Sequence, residues 1–261
     1  MKYSMISFLF LVLSVVLGCG SGPDQMARLS IYGGKKSAAG SWPGAVAITT
    51  NGYIYCSGIA VHPRMVLTAA HCINGVNRVS STKIYLGEGH PSRQVSPNYS
   101  VVEGWRSPGY SGKNYSGNDI AFLVTAADLP IAPENIIPIL HRRDDVEGFL
   151  LAGSKTTLVG FGKRDDGGIG EKYEVDTEIV QVGSKEVVIG GEGKDSCRID
   201  SGGPAYLQLD NGAWRVFGVV SRGIEKGCGK GGIWGLIHAH ACWIEKSSGI
   251  DLGLEPGTCE S

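Results

Sequence analysis

From Ile31 onward the apolar positions fall in short runs rich in β-branched and aromatic residues, with polar or glycine-containing stretches between them. The runs are Ala45 to Thr49, Tyr53 to Val61, Lys83 to Leu86, Ile120 to Val124, Thr157 to Phe161, Val187 to Ile189 and Val216 to Ser221. Turn signals separate them: Asn51-Gly52, Asp166-Gly167 and Asn211-Gly212 each put a residue tolerant of left-handed backbone before a glycine. The pattern predicts an all-β barrel or sandwich. Only the segment around Cys242 to Lys246 looks helical, and Asp128 to Ile139, with three prolines, reads as a connection between two halves.

Composition narrows the class. The 261 residues include 40 glycines, 42% are apolar and 19% are charged, which suits a turn-rich globular core and excludes an intrinsically disordered chain. A formal net charge of −1 supplies no global positive field, and no basic run stands out, so nucleic acid is not an expected partner. No internal repeat appears. The length accommodates one large domain or two fused halves.

The first nineteen residues read as an export address. Met1 and Lys2 precede Met5 to Leu17, which is apolar except for Ser7 and Ser14 and is shorter than the roughly 20 residues that span a bilayer. Val16-Leu17-Gly18-Cys19 then resembles the bacterial lipoprotein box, in which the cysteine is lipidated; an ordinary signal peptide is the other reading. Seven cysteines leave one over, and lipidation of Cys19 leaves Cys56, Cys72, Cys197, Cys228, Cys242 and Cys259 for three bridges among 15 pairings. Export makes such bridges chemically reasonable. Residues 20–30 read as a tether or propeptide, and residues 31–261 as the folded domain.

Three segments carry candidate chemistry. Leu67-Thr68-Ala69-Ala70-His71-Cys72 ends an apolar run on a histidine, Gly117-Asn118-Asp119-Ile120 sets a carboxylate before a buried-looking strand, and Asp195 to Pro204 crowds Cys197, two aspartates and Ser201 against glycines. Taken singly, His71 reads as structural, Asp119 as a cap or turn residue and the third segment as a glycine-rich turn. Together, in the order His, Asp, Ser, they resemble the trypsin/chymotrypsin family of serine proteases from Ile31 to about Ile244. Ile31-Tyr32-Gly33-Gly34, Gly160-Phe161-Gly162, Gly218-Val219-Val220-Ser221 and Trp243-Ile244 add to the likeness.

The resemblance implies two six-stranded antiparallel β-barrels with the active site between them, and a short C-terminal helix. It implies the bridges Cys56 with Cys72 and Cys197 with Cys228; counting then leaves Cys242 with Cys259. His71 is expected to act as general base for the Ser201 nucleophile, with Asp119 orienting the imidazole and Ser221 supporting that carboxylate while its strand pairs with substrate. The oxyanion hole falls to the amides of Ile199 and Ser201, and Ile31 and Asp200 form the activation pair. Asp195 and Ser196 at the floor of the primary pocket, with Gly223 and Gly232 in its wall, imply cleavage of polypeptides after Arg or Lys.

The chain departs from the family pattern at three places. Ile199 stands where glycine is usual, which puts the aim of its amide in question; Arg222 stands where tryptophan is usual, and its guanidinium is expected to favour acidic residues in the neighbouring subsite. Ser30, where zymogens usually carry Arg or Lys, leaves the activating cut to another protease, a trimming step or an unusual N-terminus. These departures keep a second reading open, a non-catalytic binding or adhesion module on the same fold. His62, His90, His141, His238 and His240 make no ligand cluster, and Glu88 resembles one ligand of a family calcium loop without a second nearby. No metal or cofactor is expected. The expected form is an exported monomer, held by lipid at a membrane or released by activation.

Overall fold

The computed structural model describes residues 31–73, 76–112 and 117–259, so the signal peptide, Cys19 and the tether lie outside the described residues. Among the described residues the chain is built mainly of antiparallel strands, in the two barrels that the family resemblance implies.

The first barrel closes through β2 (Ala45–Thr50), β3 (Tyr53–His62), β4 (Met65–Thr68), β7 (Ala121–Thr125), β6 (Tyr99–Arg106) and β5 (Thr82–Tyr85), each strand paired with the next and β5 with β2. The hairpin between β2 and β3 turns on Asn51 and Gly52, with φ of 52° and 78°, the left-handed pair that a two-residue turn requires. In the second barrel β8 (Lys155–Gly160), β9 (Tyr173–Val182), β10 (Glu186–Ile189), β13 (Gly232–Leu236), β12 (Trp214–Gly223) and β11 (Pro204–Gln208) form the ring, and β1 (Lys35–Lys36) adds to β9 from outside.

Each barrel has its own apolar interior, and a third cluster joins them. Ile59, Met65, Leu67 and Phe122 of the first barrel pack with Val159, Tyr206, Val216 and Val219 of the second. Burying each such aliphatic or phenyl side chain is worth about 1.5–3 kcal/mol, so the halves hold together as one body. The C-terminal helix α2 (Ala241–Ser248) contributes Ile244 to this seam and lays Trp243 against Phe122, ring centres 5.4 Å apart. Gly249, at φ 67°, ends it in the left-handed conformation.

A second helix, α1 (Arg143–Phe149), corrects the expectation that only the C-terminal segment is helical. It offers just Val146 and Phe149 to the second barrel, one short apolar stripe, with Asp144 and Asp145 in its favourable first turn. Gly148 and the want of a side-chain N-cap conceal it from pattern reading. The loop 161–172 is fixed by charge: Arg164 donates through Nε to Asp166 at 3.0 Å and through Nη1 to Glu171, and lies 4.9 Å over the Tyr173 ring.

All three expected disulfides are present, Cys56–Cys72, Cys197–Cys228 and Cys242–Cys259. They fit an oxidising, exported environment. No described helix is long and apolar enough to cross a membrane.

Candidate active site

Strand register brings the histidine to the aspartate. β4 and β7 are antiparallel with Thr68 opposite Ala121, so the end of one lies beside the start of the other. His71 follows Thr68 by three residues, in a turn of 3₁₀ helix, and Asp119 precedes Ala121 by two. Asp119 is buried and both its oxygens are engaged. Oδ1 accepts the His71 amide at 2.9 Å; Oδ2 lies 2.8 Å from His71 Nδ1 and accepts the Ser221 hydroxyl at 2.6 Å. An ionised carboxylate can only accept, so Nδ1 carries the hydrogen and the neutral ring keeps Nε2 as its basic nitrogen. The His71 side chain is 26% exposed, open to the cleft.

Ser201 arrives from the other barrel on the turn before β11. Its carbonyl accepts the Ser57 amide of β3 at 2.9 Å and lies 3.6 Å from Cys72 Sγ, next to His71. The following Gly202 donates to Val220 of β12 at 2.8 Å. A Cβ on Gly202 would fall 2.0 Å from Thr68 Oγ1, so only glycine lets this turn seat against the end of β4. The structure therefore gathers His71, Asp119, Ser201 and Ser221 at the junction of the barrels.

Ile199 adopts φ 79°, the glycine-like conformation, at a cost of about 1–3 kcal/mol for a side chain. Its side chain packs against the cluster of Ala47, Ile54, Val95 and Phe161. The preceding peptide is anchored because the Lys163 amide donates to Arg198 O at 2.7 Å. In a trans peptide the N–H points opposite the carbonyl, so the Ile199 amide faces away from Lys163.

Asp200 is fully enclosed, with Oδ1 accepting the Gly162 amide and Oδ2 the Cys197 amide, both at 2.8 Å. Cβ atoms on Gly160 and Gly162 would lie 2.1 and 2.3 Å from its oxygens, which explains both glycines flanking Phe161. Burial, with the nearby Asp195 charge, pushes this carboxyl up to about 7, and no cation among the described residues offsets it. Ile31 is buried in the second-barrel core, one residue before Tyr32, whose carbonyl accepts the Asp195 amide at 2.9 Å.

Asp195 is 1% exposed. Oδ1 accepts the Ser196 amide at 2.6 Å, while buried Oδ2 makes no hydrogen bond of good geometry, though the Gly229 and Gly231 amides lie close enough to favour the ionised carboxyl. Burial raises its carboxyl to about 6. Gly232 flanks it, a Cβ there falling 3.0 Å from Oδ1, and Gly223 pairs with Gly232 across β12 and β13.

Arg222 does not present a bare guanidinium to its surroundings. Its Nη1 donates to Glu186 Oε1 at 2.6 Å and its Nη2 to Glu186 Oε2 at 3.1 Å, so the expected attraction for acidic residues meets a partner that sequence reading missed. The two are 36 positions apart, and no local motif links them. Cys56, Cys72 and His71 offer atoms within 4.8 Å of one another, yet both sulfurs are spent in a disulfide and supply no thiolate.

Comparison with known proteins agrees with this architecture. The Trypsin family model matches residues 31–244. The chain is 32% identical over 219 residues to phenoloxidase-activating enzyme 1 of Spodoptera litura, covering 73% of this chain and 57% of that protein. It is 30% identical over 273 residues to chymotrypsin-C of Rattus norvegicus, covering 90% of this chain and 97% of the other. Serine proteinase stubble of Drosophila melanogaster is 28% identical over 259 residues, of which this chain spans 32% of the length. The two barrels, the residues gathered between them and these matches make the chain a member of the trypsin family of serine proteases.

Proposed function

We propose that the chain is an endopeptidase that cleaves after Arg or Lys, with Ser201 as nucleophile, His71 as base and Asp119 as its orienting carboxylate. The hydrogen-bonded set His71–Asp119–Ser221 beside Ser201 carries this reading. As the Ser201 oxygen attacks the scissile carbonyl carbon, its proton passes to His71 Nε2, and Asp119 stabilises the imidazolium. The carbonyl oxygen gains charge and is met by the amides of Ile199 and Ser201, each donor of this kind being worth about 10²–10³ in turnover. His71 then gives the proton to the leaving amine, and water hydrolyses the acyl-enzyme by the same steps. Loss of the orienting carboxylate in the template triad costs about 10⁴.

Buried Asp195, whose carboxyl no described cation pairs, supports the choice of substrate, because a guanidinium or ammonium offers the opposite charge and further donors. Release of an Ile31 amine is the proposed activating event, delivering a cation to Asp200. In this reading residues 1–19 export the chain, Cys19 takes the lipid, and the cut before Ile31 frees a monomeric enzyme, since no described cysteine bridges across it.

A fluorophosphonate tests the central claim. Stoichiometric labelling of Ser201, absent in Ser201→Ala, together with cleavage of peptides only after Arg or Lys, is the expected outcome. A properly folded chain that ignores the reagent but still binds peptides would instead be the non-catalytic module.

A further inference from the structure

We propose that Glu186 determines specificity beside the primary pocket by neutralising Arg222, so that the subsite does not select acidic residues. This rests on the protease reading above, and it concerns the substrate residues preceding the basic one. Strand register shows how the pair forms. β10 pairs with β13 so that Glu186 lies opposite Gly235, and β12 pairs with β13 so that Arg222 lies opposite Ile233. Residues two apart on a strand share a face, so Gly235 and Ile233 carry Glu186 and Arg222 onto one side of the sheet. The register shift between Val220 and Arg222 is what turns Arg222 to that side, immediately after Ser221.

That side faces the backbone of the segment that carries Asp119. An ideal Cβ on Gly235 lies 3.8 Å from the Asp119 carbonyl oxygen, and Glu186 Oε1 accepts the Gly117 amide at 3.0 Å as well as the Arg222 guanidinium. Lys185 Nζ sits 3.3 Å from Asn118 Oδ1 and His240 Nε2 sits 2.7 Å from the Gly117 carbonyl, so the segment leading to Asp119 is docked against the second barrel. Arg222 also donates to Ser221 Oγ at 3.3 Å, which ties the pair to the hydroxyl that supports Asp119.

The guanidinium is therefore held on two oxygens in the planar geometry that suits it best, and the carboxylate is itself held by a backbone amide from the other barrel. Both side chains keep about a quarter of their surface open, 29% for Arg222 and 26% for Glu186, so the pair forms part of the cleft wall and not of the core. A substrate carboxylate approaching Arg222 meets an equal negative charge within bonding distance of it. A wall that is polar but electrically balanced discriminates little between acidic and neutral side chains.

The test uses peptide amides with Arg before the cleaved bond and Asp, Ser or Lys at each of the three preceding positions. The readout is kcat/KM for the Asp peptide divided by that for the Ser peptide. The ratio is expected within about twofold of unity for the wild-type chain and to fall below unity in Arg222→Ala, where Glu186 stands uncompensated. It is expected to rise about 5- to 10-fold in Glu186→Gln, the rise shrinking in about 0.5 M salt and being absent in Glu186→Gln/Arg222→Ala, whose ratio returns to about unity. Glu186→Asp, which keeps the charge, should retain the wild-type ratio.

An unchanged ratio in Glu186→Gln overturns the proposal. So does a wild-type preference for Asp that Arg222→Ala removes, and this second comparison decides the matter if Glu186→Gln fails to fold. The same ratio read as peptide affinity in the Ser201→Ala background needs no turnover. There the role of Glu186 is judged separately from the cleavage reaction, whose own failure appears as absent labelling or cuts elsewhere than after Arg.

Discussion

The Ser57 hydroxyl donates to the Ile199 carbonyl at 3.0 Å and accepts the Phe161 amide at 3.2 Å, so one side chain of the first barrel pins a backbone that belongs to the second. That bond, with the anchored carbonyl of Arg198, holds Ile199 at a positive φ that its β-branch resists. Ser57→Ala leaves a buried carbonyl and a buried amide unsatisfied. Thermal unfolding should report a loss of about 1–3 kcal/mol, and turnover on an Arg ester should fall about tenfold as the oxyanion amide loosens.

Ile199→Gly examines the same backbone from the other direction. The conformation is already the one glycine adopts freely, so turnover should change less than about threefold, the relief of strain being offset by the lost packing on Ile54 and Phe161. A gain on the order of 10²-fold would mean that the isoleucine amide is aimed away from the oxyanion.

On the proposed specificity, Asp195 links substrate binding to pH. Burial raises its carboxyl from 3.8 to about 6. With the folded value above the unfolded one, the stability it contributes is fully present below about pH 4 and is lost as pH rises through about 6. A bound cation reverses that loss. Benzamidine should therefore bind about tenfold more tightly at pH 8 than at pH 5, read by calorimetry, and Asp195→Ser should abolish both the binding and the preference for basic residues. Flat affinity across that range would detach Asp195 from the pocket.

Asp200 should report activation. Its carboxyl stands at about 7 with only amides to bond it, so the uncut chain loses stability as pH rises through about 7, the contribution being complete below its ordinary value of 3.8. A cut that frees the Ile31 amine supplies the missing charge. The cut chain should then exceed the uncut chain in Tm by more at pH 8 than at pH 5; identical pH profiles before and after cutting would remove Asp200 from the activation pair.

The bridge Cys242–Cys259 ties the tail to α2, 17 residues apart and away from the cleft. Replacing both cysteines by serine should cost up to about 3 kcal/mol in denaturant unfolding. Cleavage of an Arg peptide should stay within about twofold of the wild-type rate.

Much of this organisation was legible in the chain, and the exceptions have causes. Runs such as Ala45–Thr50 and Ala121–Thr125 are buried along nearly their whole length and announce themselves as strands. β6 is exposed at most positions, and β9 alternates with charged residues such as Asp176 and Glu178, so neither stands out by apolar content. The catalytic candidates sit in dense local motifs and could be named. Ser57 and Glu186 could not, because each acts through a partner that only folding brings near, Ile199 in one case and Arg222 in the other.

Arg164 bears on the fate of the enzyme among its own copies. Under the proposed specificity each copy of the enzyme is itself a source of basic residues for its neighbours, and Lys163-Arg164 stands in the loop that joins β8 to β9. With its side chain 12% exposed, clasped by Asp166 and Glu171 and laid over Tyr173, this arginine cannot enter a foreign pocket without first surrendering all three contacts. Lys163 beside it is exposed, so the two acidic residues withhold the arginine alone and leave the lysine open to a neighbouring copy.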